Sequence, residues 1–154
     1  MKRRPLSKSD TRELNSKLGF DFKLPPKEKV EVVEEKGSII LLNEKPVLFA
    51  HEGKWLPTLQ LLQENPFLKK ITVDMGAIKF VCSGANIMRP GIVGIEEGIA
   101  KDEPVLIVDE KYAKGLAVGL ALLPAEEMQK AEKGKVVKTL HWVGDWIWEF
   151  WKQE

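Results

Sequence analysis

Four side chains that can donate hydrogen bonds, Lys79, Ser83, Asn86 and Arg89, lie in one short stretch, residues 74–92, which reads DMGAIKFVCSGANIMRPGI. Gly76, Gly84 and Gly91 punctuate the same stretch, and Pro90 stiffens the Arg89-Pro90-Gly91 bend. Glycine permits positive φ and lets a ligand approach the backbone closely, while proline fixes φ. Donors and exposed backbone N–H groups beside a tight turn suit a phosphodiester backbone better than a small apolar ligand. The competing reading is a glycine-rich structural corner in a small β-rich domain.

Other constellations offer less chemistry. His51 and His141 are the only histidines, and neither has Cys or His at metal-ligand spacing, so no metal site is expected. A Ser83–His141–Asp145 triple can be written down, but a chain of this size permits many such triples. Glu96-Glu97 and Asp102-Glu103 sit in polar loops, where paired acids are usually solvated. Gly115 and Gly119 are spaced as GxxxG without a following Lys-Ser or Lys-Thr, so they do not form a phosphate-binding P-loop. Cys82 is the single cysteine, which excludes an internal disulfide and fits a reducing cytosol. It reads as a small buried hydrophobe rather than a nucleophile. The expectation is a cytoplasmic protein with no catalytic residues and no cofactor.

Four of the five tryptophans fall between Trp142 and Trp151. Trp142, Trp146, Trp148 and Phe150 share parity and would line one sheet face if the Gly144-Asp145 bend keeps register. Burial in a core is the usual fate of such aromatics. The alternative is a stacking platform for bases, with His141 and Trp142 as its first candidates.

The elements that must position these residues divide at Lys69-Lys70, into 1–69 and 70–154. In the first part, Asp10 and Glu13 have capping-box spacing for a helix ending near Gly19. Phe20, Phe22 and Leu24 alternate as a brief extended segment. Three strands follow at 30–35, 38–42 and 47–51, joined by short polar turns as in an antiparallel meander. A helix then carries Leu59, Leu61 and Leu62, with Pro57 in its first turn. In the second part, strands are expected near 71–73, 87–95, 104–108, 115–123, 136–137 and 139–151. Short helices are expected at 77–83 and after Pro124. Many short strands with little helix imply a pseudobarrel.

With 154 residues and 44% apolar composition the chain supports packed cores. No apolar run reaches the length of a membrane-spanning helix, and no membrane partner is expected. Net charge is +1, but residues 1–29 carry nine Lys or Arg against four Asp or Glu. That basic end reads chiefly as a solvated helix, so RNA affinity, where present, is local and salt-sensitive.

The strings FVCSGANIMRPGI and LHWVGDWIW resemble the PUA domain, named for pseudouridine synthases and archaeosine transglycosylases. More narrowly, they are similar to the malignant T-cell amplified sequence family and its archaeal relatives. The resemblance implies an α+β fold: a small N-terminal α+β domain followed by a mixed β pseudobarrel. It also implies that the helix at 77–83 and the loop at 84–91 contact structured RNA. The RNA-binding residues would be Lys79, Ser83, Gly84, Ala85, Asn86, Met88, Arg89 and Gly91, with His141 and Trp142 as further candidates. Lys79 would face phosphates, Arg89 would pair with a phosphate or stack on a base, and the N–H groups of Gly84 and Ala85 would reach phosphate oxygens. Of Ile87 and Met88, one would touch the RNA and the other belong to the core.

The family implies a translation factor on the small ribosomal subunit, handling tRNA, with an initiation-factor-like partner such as the density-regulated protein of eukaryotes. A second expectation is an RNA-specificity subunit acting in trans for a tRNA-modifying enzyme such as an archaeosine-type transglycosylase. A third is a protein-interaction module built on the tryptophan-rich end.

Overall fold

The turns at Lys36-Gly37 and Asn43-Glu44 are too short for anything but hairpins, and the apolar runs they separate pair accordingly. In the computed structural model, which describes residues 1–152, β2 (Val30–Glu34), β3 (Ser38–Leu42), β4 (Lys45–His51) and β5 (Lys54–Pro57) form an antiparallel meander. A strand not foreseen, β1 (Lys2–Pro5), adds to its edge through β2. Its side chains are all exposed, so it joins the sheet by backbone pairing and by charge rather than by apolar burial. Arg3 bonds Glu31 at 2.9 Å and also contacts Glu44, which Lys29 reaches from its other side at 2.5 Å. These ion pairs occupy two of the cations at the basic end.

Helix α1 (Lys8–Ser16) starts one turn earlier than the Asp10 cap predicts. Ser7 is the cap, its hydroxyl accepting from Asp10 N at 3.0 Å, because Ser7 and Asp10 have the same three-residue spacing as Asp10 and Glu13. The extended segment expected at 20–24 is irregular instead. Asn15 clamps it by accepting from Leu24 N at 2.7 Å and donating to Leu24 O at 2.9 Å, so Leu24 is paired by a side chain rather than a strand. Pro57 ends β5 rather than opening the next helix; Thr58 caps α2 (Leu59–Glu64) by accepting from Leu61 N.

The second sheet begins at β6 (Lys70–Val73) and runs in the order β7-β11-β10-β9-β6-β8. Its members are β7 (Ile87–Met88), β8 (Ile92–Ile95), β9 (Pro104–Asp109), β10 (Gly115–Ala121) and β11 (Lys135–Trp142). All pairs are antiparallel except β6 with β9. The two outer strands, β7 and β8, are joined by the single 3-10 turn Arg89–Gly91. The sheet therefore curls until its edges meet at that turn, giving a nearly closed pseudobarrel in an α+β chain. Helix α3 (Ile78–Val81), preceded by the 3-10 turn Met75–Ala77, lies beside this seam, and α4 (Ala125–Lys130) follows β10. The barrel interior is filled by Ile71, Val73, Val105, Ile107, Ala117, Val136 and Val137.

The strand expected through residue 151 ends at Trp142. Residues 146–152 form helix α5 (Trp146–Lys152), so Trp142, Trp146, Trp148 and Phe150 do not share a sheet face. Asp145 is the reason: its Oδ1 accepts from Trp148 N at 2.9 Å, the capping bond that starts a helix where a hairpin was expected. Ile147 and Phe150 then pack on Val33, Ile39, Phe49, Leu59, Leu106 and Val118, so one core is shared by both sheets. The last two positions of the 70–154 span lie outside the described residues.

Candidate RNA-contacting groove at the barrel seam

Asp74 starts the site. Its carboxylate caps the Met75–Ala77 turn by accepting from Ala77 N at 2.9 Å, and its N–H donates to Gly91 O at 3.0 Å, tying the turn to the barrel seam. Helix α3 ends after one turn in a paired closure, with Gly84 N donating to Val81 O and Ala85 N donating to Phe80 O. That closure requires the left-handed φ of +88° at Gly84. It also requires the absence of a side chain, since a Cβ there would lie 2.7 Å from the Trp142 indole. Gly84 is thus fixed by backbone geometry and by the ring behind it.

Between α3, β7 and the Arg89–Gly91 turn lies a mainly apolar groove of about 440 Å³. Phe80, Met88, Ala77 and Pro90 shape it, with Gly76 and Gly91 leaving backbone accessible along its walls. Phe80 is 58% exposed and Met88 49% exposed, while Ile87 beside it is buried in the barrel. Lys79 holds its Nζ 5.1 Å from the Phe80 ring centroid, so a cation borders the exposed aromatic. Lys135 is exposed directly across from Met88 in the β7–β11 pairing.

Several predicted contact residues have other work. Arg89 turns inward: Nε donates to Met128 O at 2.7 Å and Nη1 to Ile92 O at 3.2 Å, stapling the seam to α4. Three of its five N–H donors, two on Nη2 and one on Nη1, are left for a ligand among the described residues. The N–H groups of Gly84 and Ala85 are committed to closing α3, so they do not form an anion nest. Asn86 is half-buried, and its Oδ1 is already used, accepting from Thr139 N at 3.0 Å. Ser83 is exposed but donates its hydroxyl to Lys79 O at 2.7 Å. Lys79 and Met88 are exposed, Lys79 beside the Phe80 ring and Met88 in the groove, and Gly91 lines its wall.

His141 and Trp142 do not form a stacking platform. His141 is fully buried: Nε2 accepts from Leu59 N at 3.1 Å and Nδ1 donates to Asp145 Oδ2 at 2.7 Å. Its ring meets Phe49 edge-on at 5.3 Å. Both nitrogens are engaged, and neither faces Ser83. Trp142 is half-buried behind Gly84 and acts as the floor of the bend. Burial pushes the Cys82 thiol up and Lys114 offsets this in part, leaving a protonated, weakly reactive sulfur.

Sequence reasoning missed Phe80 and Lys135. Phe80 sits in the apolar string IKFVC, which hides it, although Val81 alone supplies the buried face of this short helix. The signal was the Lys79-Phe80 pair, a cation beside an aromatic on a turn too short to bury both. A larger cleft of about 470 Å³ runs between the His51–Lys54 turn and Asp102, Pro104 and Leu120. Its walls mix Lys17 and Lys54 with Glu52 and Asp102, so it presents no uniform field to a polyanion. Among the described residues no helix is long and apolar enough to cross a membrane, and no His, Cys, Asp or Glu cluster could hold a metal ion.

Comparison with known proteins matches residues 69–143 to the PUA domain and residues 2–65 to a domain of unknown function, DUF1947. An uncharacterized protein of Methanocaldococcus jannaschii is 41% identical, over 97% of this chain and 96% of its own. Translation machinery-associated protein 20 of Schizosaccharomyces pombe is 34% identical over 88% of this chain and 79% of its own. Malignant T-cell-amplified sequence 1 of Rattus norvegicus is 38% identical over 81% and 72%. Among solved structures, a hypothetical protein of Pyrococcus horikoshii superposes with a TM-score of 0.81 at 34% identity, over 96% of this chain and 98% of that one. A PUA-domain protein of Aeropyrum pernix, solved with tartrate, gives 0.86 at 27% over 98% and 91%. A chain of an archaeal box H/ACA sRNP complex gives 0.51 at 28%, over 60% of this chain and 29% of that one.

Proposed function

The chain belongs to the malignant T-cell-amplified sequence family, which also includes translation machinery-associated protein 20, and from that premise we propose that it is an RNA-binding factor of translation. The observation that carries the reading is the seam groove, lined by the exposed Phe80 and Met88 and bordered by Lys79 and Lys135. A groove with an aromatic wall and cationic rim takes an unpaired base against the ring and the adjoining phosphates against the ammonium groups. Buried hydrogen-bond donors that would read a base edge are few, so recognition rests on shape and on an unstacked end rather than on sequence.

The partner in this reading is ribosomal RNA of the small subunit or tRNA, met in the cytoplasm together with an initiation-factor-like protein. Irradiating cell extract, purifying the protein and sequencing the attached RNA tests it. Small-subunit ribosomal RNA or initiator tRNA is the expected product. Reads confined to many tRNAs, with a modifying enzyme co-purifying, would instead favour an RNA-specificity subunit, a role for which the likeness to an sRNP chain offers some support.

A further inference from the structure

The loop between β9 and β10 carries the most exposed aromatic side chain of the barrel half, Tyr112 at 70%. Loops with a free aromatic tip are usually mobile, but this one is locked from beneath. Buried Asp109 accepts three backbone N–H groups: Tyr112 at 2.6 Å, Lys111 at 2.9 Å and Lys114 at 3.0 Å. These bonds, that of Tyr112 first, hold the Asp109 carboxyl below its usual range. Ala113 completes the turn at φ +53°.

The loop is also fastened to the groove wall. Glu110 N donates to Val73 O at 3.0 Å, and Glu110 Oε2 accepts from Met75 N at 3.0 Å. Met75 is 40% exposed and lies between Asp74 and Gly76, both of which line the groove. Exposed apolar groups therefore stand in the groove (Met88, Phe80) and at Met75, and Tyr112 lies two residues beyond the Glu110 tether. Lys114 acts electrostatically on Cys82, the residue that closes α3, and favours its thiolate. Lys111 covers one face of the Tyr112 ring at 5.2 Å, leaving the other open.

Two of the three acids on this surface are drawn away from solvent. The carboxylate of Asp109 is buried on backbone N–H groups, and that of Asp74 is half-buried on Ala77 N, while Glu110 stays exposed although its Oε2 accepts from Met75 N. The ammonium groups of Lys79, Lys111 and Lys114 stand in solvent. Three exposed cations against one exposed acid leave this surface net basic toward a polyanion.

We propose that the Tyr112 loop is a second stacking platform, holding a further unpaired nucleotide of the single-stranded RNA whose neighbouring base occupies the Phe80–Met88 groove. The inference rests on the RNA-binding reading of the groove and extends it across α3. Tyr112 supplies an open ring face to the base, and Lys111 and Lys114 face the flanking phosphates.

The test uses the full chain and a short single-stranded RNA carrying 2-aminopurine at one position, moved along the strand. Two positions should be quenched on binding, one abolished by Phe80→Ala and the other by Tyr112→Ala. Tyr112→Ala should weaken binding on the order of tenfold, and Tyr112→Phe should restore both affinity and quenching. Lys111→Ala with Lys114→Ala should flatten the logarithmic salt dependence by roughly 0.7 for each phosphate left without its ammonium partner. If Phe80→Ala weakens binding while Tyr112→Ala changes neither affinity nor quenching, the groove reading stands and the second platform is wrong. If the unaltered protein binds no RNA, both fall. Tyr112 is exposed, so its variants fold and each outcome is readable.

Discussion

Phe80 carries the heaviest claim of any single residue. More than half exposed on a one-turn helix, it contributes little to the core, and with Met88 it forms an exposed apolar patch of the kind that marks a binding surface. Phe80→Ala should lower RNA affinity by about 1–3 kcal/mol, the usual worth of a base stacked on an aromatic ring, while leaving thermal stability unchanged. Fluorescence titration and a melting curve on the same sample check both halves. Arg89 teaches the complementary lesson. Its type and loop position both suggested phosphate, yet two of its nitrogens hold the barrel seam shut. Residue type shows what a side chain can bond, and only the fold shows which of those bonds are already made.

Among the elements, β11 and α5 connect the chemistry of the two sheets. His141 on β11 bonds the first N–H of α2, and Asp145 accepts from His141, from Trp142 N at 3.0 Å and from Trp148 N. His141→Ala would leave the buried Leu59 N–H without an acceptor and Asp145 Oδ2 without its strongest donor. The expected cost is about 2–4 kcal/mol, seen as a lower Tm, with RNA affinity of the folded variant unchanged because the pair lies away from the groove. A loss of affinity without a loss of Tm would restore the histidine to the binding surface. Helix α5 was hidden in the sequence for a physical reason. Its aromatic positions 146 and 150 satisfy a period of two and a spacing of four equally, and Gly144-Asp145 serves a hairpin or a helix cap. The strands from β2 to β4 were legible because their turns and apolar runs admit one pairing. Strand β1 was not, since its exposed KRRP side chains carry no burial pattern.

Across the whole molecule, the sheets divide at residue 70 but the core does not. Val33, Ile39 and Phe49 of the first sheet share one apolar cluster with Leu106 and Val118 of the second and with Ile147 and Phe150 of α5. The PUA signature in residues 74–92 was readable because glycine and proline positions are dictated by backbone geometry. The joining of the halves was not, because it depends on which aromatic residues of the last helix face inward. A shared core predicts that heat unfolds the protein in one cooperative transition, with tryptophan fluorescence and far-ultraviolet circular dichroism tracing the same curve. Two separated transitions would show that the sheets fold independently.

RNA in the groove between α3 and the Arg89–Gly91 turn is the premise on which the residue-scale predictions depend. It is tested most directly by crosslinking the protein to its RNA in cell extract and identifying the modified peptide by mass spectrometry. Crosslinks are expected on Phe80 and Met88, with Lys79 and Lys135 in the neighbouring peptides. Crosslinks confined to the cleft around His51 and Trp55, or to the tryptophans of α5, would contradict it.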